Sequence, residues 1–161
     1  MQTADYAAAV MGEIPAADLG ARVTMRVGRR DVLMRDDAPE FTALISEHVL
    51  HEPLGGTAAL IEQLRHIVKM AKLPNVAVQV VPSGTTTWNP AHAGSFLVFE
   101  FPKAAPIVHL EHLASSMFIY SAREARAYRE AITTLLEVAM SPIRSVELIA
   151  SMADNLEGKR P

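Results

Sequence analysis

The run Pro74-Asn75-Val76-Ala77-Val78-Gln79-Val80-Val81-Pro82 constrains this chain more than any other segment. It is a near-continuous β-branched stretch closed by proline at both ends. Proline lacks a backbone N–H and is excluded from strand and helix interiors, so the extended segment is confined between Pro74 and Pro82. Such a run predicts a strand buried on both faces. Just before it, Leu60, Leu64, Ile67, Val68 and Ala71 recur at helical spacing, and Thr57 is placed to cap their helix. Earlier still, Phe41, Ala43 and Ile45 alternate with Thr42, Leu44 and Ser46, which predicts a strand to about His48. Pro53-Leu54-Gly55-Gly56 closes that region. Together these make a β-α-β unit, whose long crossover implies a parallel, right-handed connection.

The remaining segments flank this unit. Thr3 can cap a short helix over Ala4–Met11 that ends at Gly12. Pro15 suits the first turn of a longer helix to about Met34, weakened by Gly20 and Gly28. Ser83–Gly94 is a polar loop holding the only tryptophan, Trp88. Ser95–Phe101, Ile107–Leu113 and Met117–Tyr120 follow with short connections, the pattern of an antiparallel meander. Ser121-Ala122-Arg123-Glu124 fits a capping box, and Ser141-Pro142 starts a last helix to about Leu156. The expected fold class is α+β: a mixed sheet of about five strands, with one parallel β-α-β unit and the meander, flanked by N- and C-terminal helices. A length of 161 residues suits one domain, with helices over 1–35, sheet and central helix over 40–120, and helices over 121–156.

Composition excludes several classes of function. Half of the chain is apolar, so disorder over most of its length is excluded. No apolar run reaches the roughly 18–20 residues of a membrane helix. The polar start Met1-Gln2-Thr3-Ala4-Asp5 lacks a secretory pattern, and a cytoplasmic location is expected. The absence of cysteine removes disulfides, thiolate nucleophiles and cysteine-ligated zinc. A net charge of -3 argues against a surface built for nucleic acid. Arg22, Arg26, Arg29 and Arg30 share helical spacing and form one basic stripe, which is either a solvated face or a contact for an acidic partner protein.

In sheets with parallel strands, ligands collect beyond the carboxyl ends of those strands. That edge holds Glu47, His48 and His51 after the first strand and the Trp88 loop, with His92, after the second. Trp88 is either a lid over a ligand or a plug on the core. Expected ligand contacts are Glu47, His48, Gln79, Trp88 and His92. The densest titratable cluster is Ile107-Val108-His109-Leu110-Glu111-His112-Leu113, where alternation places His109 and Glu111 on one face. Such a pair can move protons or simply form a satisfied structural contact. Glu47, His109 and Glu111 are therefore the candidate catalytic groups. No His-Glu-x-x-His, phosphate loop or nucleophile elbow occurs, so no metal and no cofactor is expected.

Several stretches carry a resemblance: Gln2-Thr3 through Tyr6-Ala7, Arg22-Val23 with Arg26 and Arg29, and Glu47 with Leu50, Pro53, Gly55 and Gly56. Gln63-Leu64, Pro74-Asn75-Val76 with Val78-Gln79-Val80, Gly94 with Phe96, and Glu111-His112-Leu113 continue it. In order and spacing they resemble the uncharacterised domain that follows an Xre-type helix-turn-helix in actinobacterial, antitoxin-like transcriptional regulators. The helix-turn-helix is absent from this sequence, which leaves open whether Met1 is the native start. The loop Thr85–His92 also departs from the Gly/His-containing loop of that family. The resemblance implies a sensor or interaction domain of a transcriptional regulatory system that binds a small ligand or a small partner protein, with no direct nucleic-acid contact. Two alternatives accompany it: a stand-alone small-molecule enzyme doing acid–base cyclisation or isomerisation, and a homodimerising scaffold.

Overall fold

The computed structural model describes residues 1–12, 15–84, 86–111 and 115–159. The chain divides into two compact units, one of residues 1–80 and 140–161 and the other of residues 81–139. The fold class is α+β, with five α-helices and five strands among the described residues.

In the first unit, α1 (Ala4–Val10) starts at Thr3, whose hydroxyl accepts the Tyr6 N–H. α2 (Ala16–Gly28) follows Pro15. The α-helix expected to reach Met34 stops at Gly28, and Arg29–Met34 is a 3₁₀ segment. Its register is set from a distance: Leu33 is buried in the core, and Asn75 Nδ2 donates to the Leu33 carbonyl at 3.2 Å. β1 (Phe41–Ser46) and β2 (Val76–Val81) form a parallel pair across α3 (Thr57–Met70). β1 ends two residues short of His48, because Glu47–Leu50 turns into 3₁₀ helix and buries Leu50. The cap of α3 is Gly56 at φ +92°, and Thr57 is its first helical residue rather than its cap. Gly55 is held at φ +77°, and a Cβ there would stand 2.9 Å from the Ala9 Cβ, so glycine lets α1 approach this turn.

The core lies between α3, β2 and α5 (Pro142–Gly158). Leu64, Val80 and Ile149 are fully buried, and each such side chain contributes roughly 1.5–3 kcal/mol. In β2, Val76, Val78 and Val80 are buried while Ala77 and Gln79 are half-buried, so burial alternates more than a doubly covered strand requires. Arg65 of α3 reaches both Asp154 and Glu157 of α5, the latter at 2.7 Å. One polar knot closes the unit. Val80 N–H donates to the buried Ser145 hydroxyl at 2.9 Å, and Met140 N–H donates to the Val80 carbonyl at 2.8 Å.

In the second unit, β3 (Phe96–Phe101), β4 (Ala104–Glu111) and β5 (Ser116–Ile119) form an antiparallel sheet. The five strands therefore fall into a pair and a triplet rather than one mixed sheet. The end of β2 is bonded to the chain entering α5, and Pro82 next to it has no N–H to extend a ladder. α4 (Ala122–Val138) is capped by Ser121, whose hydroxyl accepts the Glu124 N–H at 3.3 Å. It packs on the sheet face that carries Phe96 and Val108. The opposite face carries Leu97, Phe99 and Phe118, all largely exposed. No helix among the described residues is long and apolar enough to cross a membrane.

Ser145→Ala leaves the buried Val80 N–H without its acceptor, and should lower stability by about 1–3 kcal/mol in urea unfolding. Ser151→Ala, at an exposed hydroxyl on the same helix, should shift it by no more than about 0.5 kcal/mol.

Candidate functional site

The loop after β2 is shaped by a reciprocal cap. Pro90–Ala93 forms one 3₁₀ turn, with Asn89 as its N-cap. Asn89 Oδ1 accepts the Ala91 N–H at 3.0 Å, and the Asn89 N–H donates to His92 Nδ1 at 3.1 Å. Proline at the first helical position supplies the φ that the turn needs. Asn89 and Pro90 are both buried, so the backbone carrying Trp88 is tied down while its indole stays 70 % exposed. Gly94 then turns the chain into β3 at φ +106°, a left-handed conformation that other residues adopt only with strain.

Trp88, Gly94, Phe96, Leu110, Glu111 and Tyr128 line a groove of about 580 Å³, in which Phe96 and Leu110 are cross-strand neighbours. Phe96 and Tyr128 meet edge to face, with ring centroids 5.1 Å apart. That geometry aligns the positive edge of one ring with the negative face of the other and fixes both side chains. The groove volume falls within the roughly 300–1,000 Å³ usual for small-molecule sites. Its lining is mainly apolar, with three aromatic residues; Glu111 borders it at the end of β4, where alternation turns its side chain to the sheet face of His109.

Of the residues singled out from sequence, Trp88 and Glu111 come together here. His92 closes the loop cap rather than lining the groove. His109 stacks on Phe118 at 4.5 Å between ring centroids, because the register pairs these two residues across β4 and β5. The acid–base candidates His109 and Glu111 lie two residues apart on one face of β4, opposite Phe118 and Ser116 of β5. His112 lies outside the described residues. In the first unit, Gln79 Nε2 donates to the Met140 carbonyl at 2.9 Å, which makes it a brace for the chain entering α5. Glu47 is half-buried in the turn after β1, and the exposed His48 meets Glu52 at 2.8 Å. Arg22 and Arg26 lie on α2, whereas Arg29 and Arg30 fall in the 3₁₀ segment and leave the α-helical spacing of the stripe. Arg22 and Arg29 are exposed, and Arg30 Nη1 reaches His66 Nε2 at 3.4 Å. Among the described residues, no group of three or more His, Asp or Glu side chains is placed to hold a metal ion.

Phe96 and Tyr128 were not evident as site residues from the sequence. Both belong to apolar patterns that predict core, and periodicity does not separate a ring lining a groove from one sealing it.

A family model matches residues 1–151, nearly the whole chain. The chain belongs to DUF5753, a domain of unknown function. No curated protein and no solved structure matches this DUF5753 chain. The family thus fixes kinship without supplying a reaction, a ligand or a partner.

His66 gives this DUF5753 domain a pH-sensitive position in its first unit. Burial, and then the positive charge of Arg30, hold its pKa below the ordinary value of 6.5. A lowered value in the folded state means that the unfolded chain binds the proton more readily. The associated stability is therefore complete above about 6.5 and shrinks as pH falls below it. His66→Asn should flatten the pH dependence of the urea midpoint below that value. In an NMR titration, Arg30→Gln should move the His66 midpoint upward. An unmoved midpoint would show that Arg30 does not act on the ring.

Proposed function

We propose that this domain is the sensor of a transcriptional regulatory system and that its second unit takes a small ligand in the groove between the Trp88 loop and α4. An attached or separate DNA-binding unit reads the outcome. The association with Xre-type helix-turn-helix regulators, implied by the sequence resemblance, belongs to this proposal. The observation that carries it is the groove itself: a concave, mainly apolar site lined by three aromatic residues, the make-up of a small-molecule site. The capped loop adds support, because a rigid backbone below an exposed indole lowers the entropic cost of ordering a ligand.

Cells carrying Trp88→Ala should reproduce the transcript changes caused by deleting the coding sequence, with chain levels unchanged on an immunoblot. Trp88 is largely exposed, so the substitution leaves the core intact. A wild-type transcript profile in Trp88→Ala cells beside an altered one in the deletion would remove the groove from the proposal. Unaltered transcripts in both strains would overturn the regulatory role.

A further inference from the structure

The sheet of the second unit has two faces, and its sequence furnishes both as interior. An antiparallel sheet with one face in water alternates apolar and polar residues along each strand. β3 departs from this: on the face turned away from α4 it carries Leu97, Phe99 and Phe101 in succession. Its one charged residue, Glu100, points the other way and pairs with Arg129 of α4 at 2.8 Å. Register sets Ile107 of β4 beside Phe99, and His109 between Leu97 and Phe118. His109, Phe118 and Tyr120 stack in one row, with centroids 4.5 and 6.4 Å apart. Phe99, Phe101, Phe118 and Tyr120 are nevertheless 42 % to 67 % exposed. At roughly 200 Å² per aromatic side chain, these four rings leave about 400 Å² of apolar surface open, the patch size at which a protein carries an interaction site.

We propose that this face packs against the same face of a second copy of the chain, in a two-fold dimer whose two three-stranded sheets form a sandwich between their α4 helices. Two such faces stand about 10 Å apart with their side chains interleaved. The rings alone then bury about 800 Å², and Leu97, Ile107 and His109 bring the total to the roughly 1,000 Å² that a specific interface needs. Charge allows the face to meet itself. β3, β4 and β5 contain no lysine or arginine, and the one carboxylate that alternation places on this face, Glu111, stands at the end of β4. The centre is therefore uncharged, and a two-fold contact brings no like charges together there. Homodimer interfaces are also more apolar than the surfaces that take transient partners, which is the character of this face. A membrane surface matches less well, because interfacial binding draws on basic residues around the aromatic ones. The groove lies on the α4 side of the sheet and stays open in such a dimer, so the inference does not depend on the groove being a ligand site.

The test is analytical ultracentrifugation of the whole chain, which should sediment at twice its monomer mass as its concentration rises toward about 0.2 mM. Phe99→Glu and Phe118→Glu should each weaken the dimer by about tenfold or more, with an unchanged far-UV circular dichroism spectrum. Ile143→Glu, at an exposed position of the first unit, should leave the dimer as it is. Because the chain has no cysteine, His109→Cys places a single thiol at the centre of the face. A short bis-maleimide should link two copies of that variant, and should not link two copies of Ile143→Cys. A single-chain mass over the whole concentration range would overturn the proposal. So would a dimer that survives both glutamate substitutions and leaves the His109→Cys chain unlinked, since its contact would lie elsewhere. Binding of a monomeric chain to phosphatidylcholine vesicles, lost in Phe99→Glu, would assign the face to lipid and overturn the proposal as well. The mass of the unaltered chain and the cross-link decide the matter even where a glutamate variant fails to fold.

Discussion

The first unit depends on one buried hydroxyl. Ser145 Oγ accepts the Val80 N–H and donates back toward the Ser141 carbonyl at 2.9 Å, in a position without solvent contact. β2 is an edge of a two-stranded sheet, and the Val80 donor, one residue before the strand ends, would otherwise be stranded in the core. A buried unpaired N–H costs as much as several methylenes gain, so the apolar packing of Val78, Val80, Leu64 and Ile149 is worth its full value only while this bond holds. Met140 N–H and the Gln79 side chain complete the knot from either side. Helix α5 therefore docks on the sheet through directed bonds as well as through area, and α3 gains its partner helix as a result.

The second unit is organised by strand register. The pairing of Val98 with Val108 and of Val108 with Ile119 gathers small and branched side chains beneath α4. The same register places Leu97, His109 and Phe118 side by side on the opposite face. Sheet alternation thus divides the aromatic residues of this unit into two populations. One is engaged by α4 and the groove, and the other is stacked within the sheet and largely open.

What was legible in the sequence was local. The caps at Thr3, Ser121 and Ser141 depend on a hydroxyl and an N–H three residues away, and all three form. The β-α-β order and the meander follow from apolar period and turn residues. The features that escaped depend on partners far along the chain. The 3₁₀ segment at Arg29–Met34 answers to Asn75, 42 residues from Leu33, and Gln79 answers to Met140, 61 residues away. Neither partnership leaves a trace in spacing. The site divides in the same way. Trp88 stood out as a lone indole in a polar loop and Glu111 as part of a dense titratable run, whereas Phe96 and Tyr128 had no signal distinct from core. The Asn89–His92 cap is the exception, since Asn-Pro followed by a side-chain acceptor at the third helical position is a local pattern that could have been read.

The bond between Met140 N–H and the Val80 carbonyl also bears on how the chain acquires its fold. It closes a segment whose flanking residues are far apart in sequence; the neighbouring Val80–Ser145 pair is separated by 65 residues. Bringing such distant points together carries an entropy cost that grows with the logarithm of the intervening length. That cost falls if the intervening segment is already compact and delivers its two ends to the same place. The second unit is built almost entirely from neighbouring strands and the helix that follows them, contacts of short range that form quickly. Because the cost grows only with the logarithm of length, residues inserted between Val80 and Met140 add little to the cost of closing this bond.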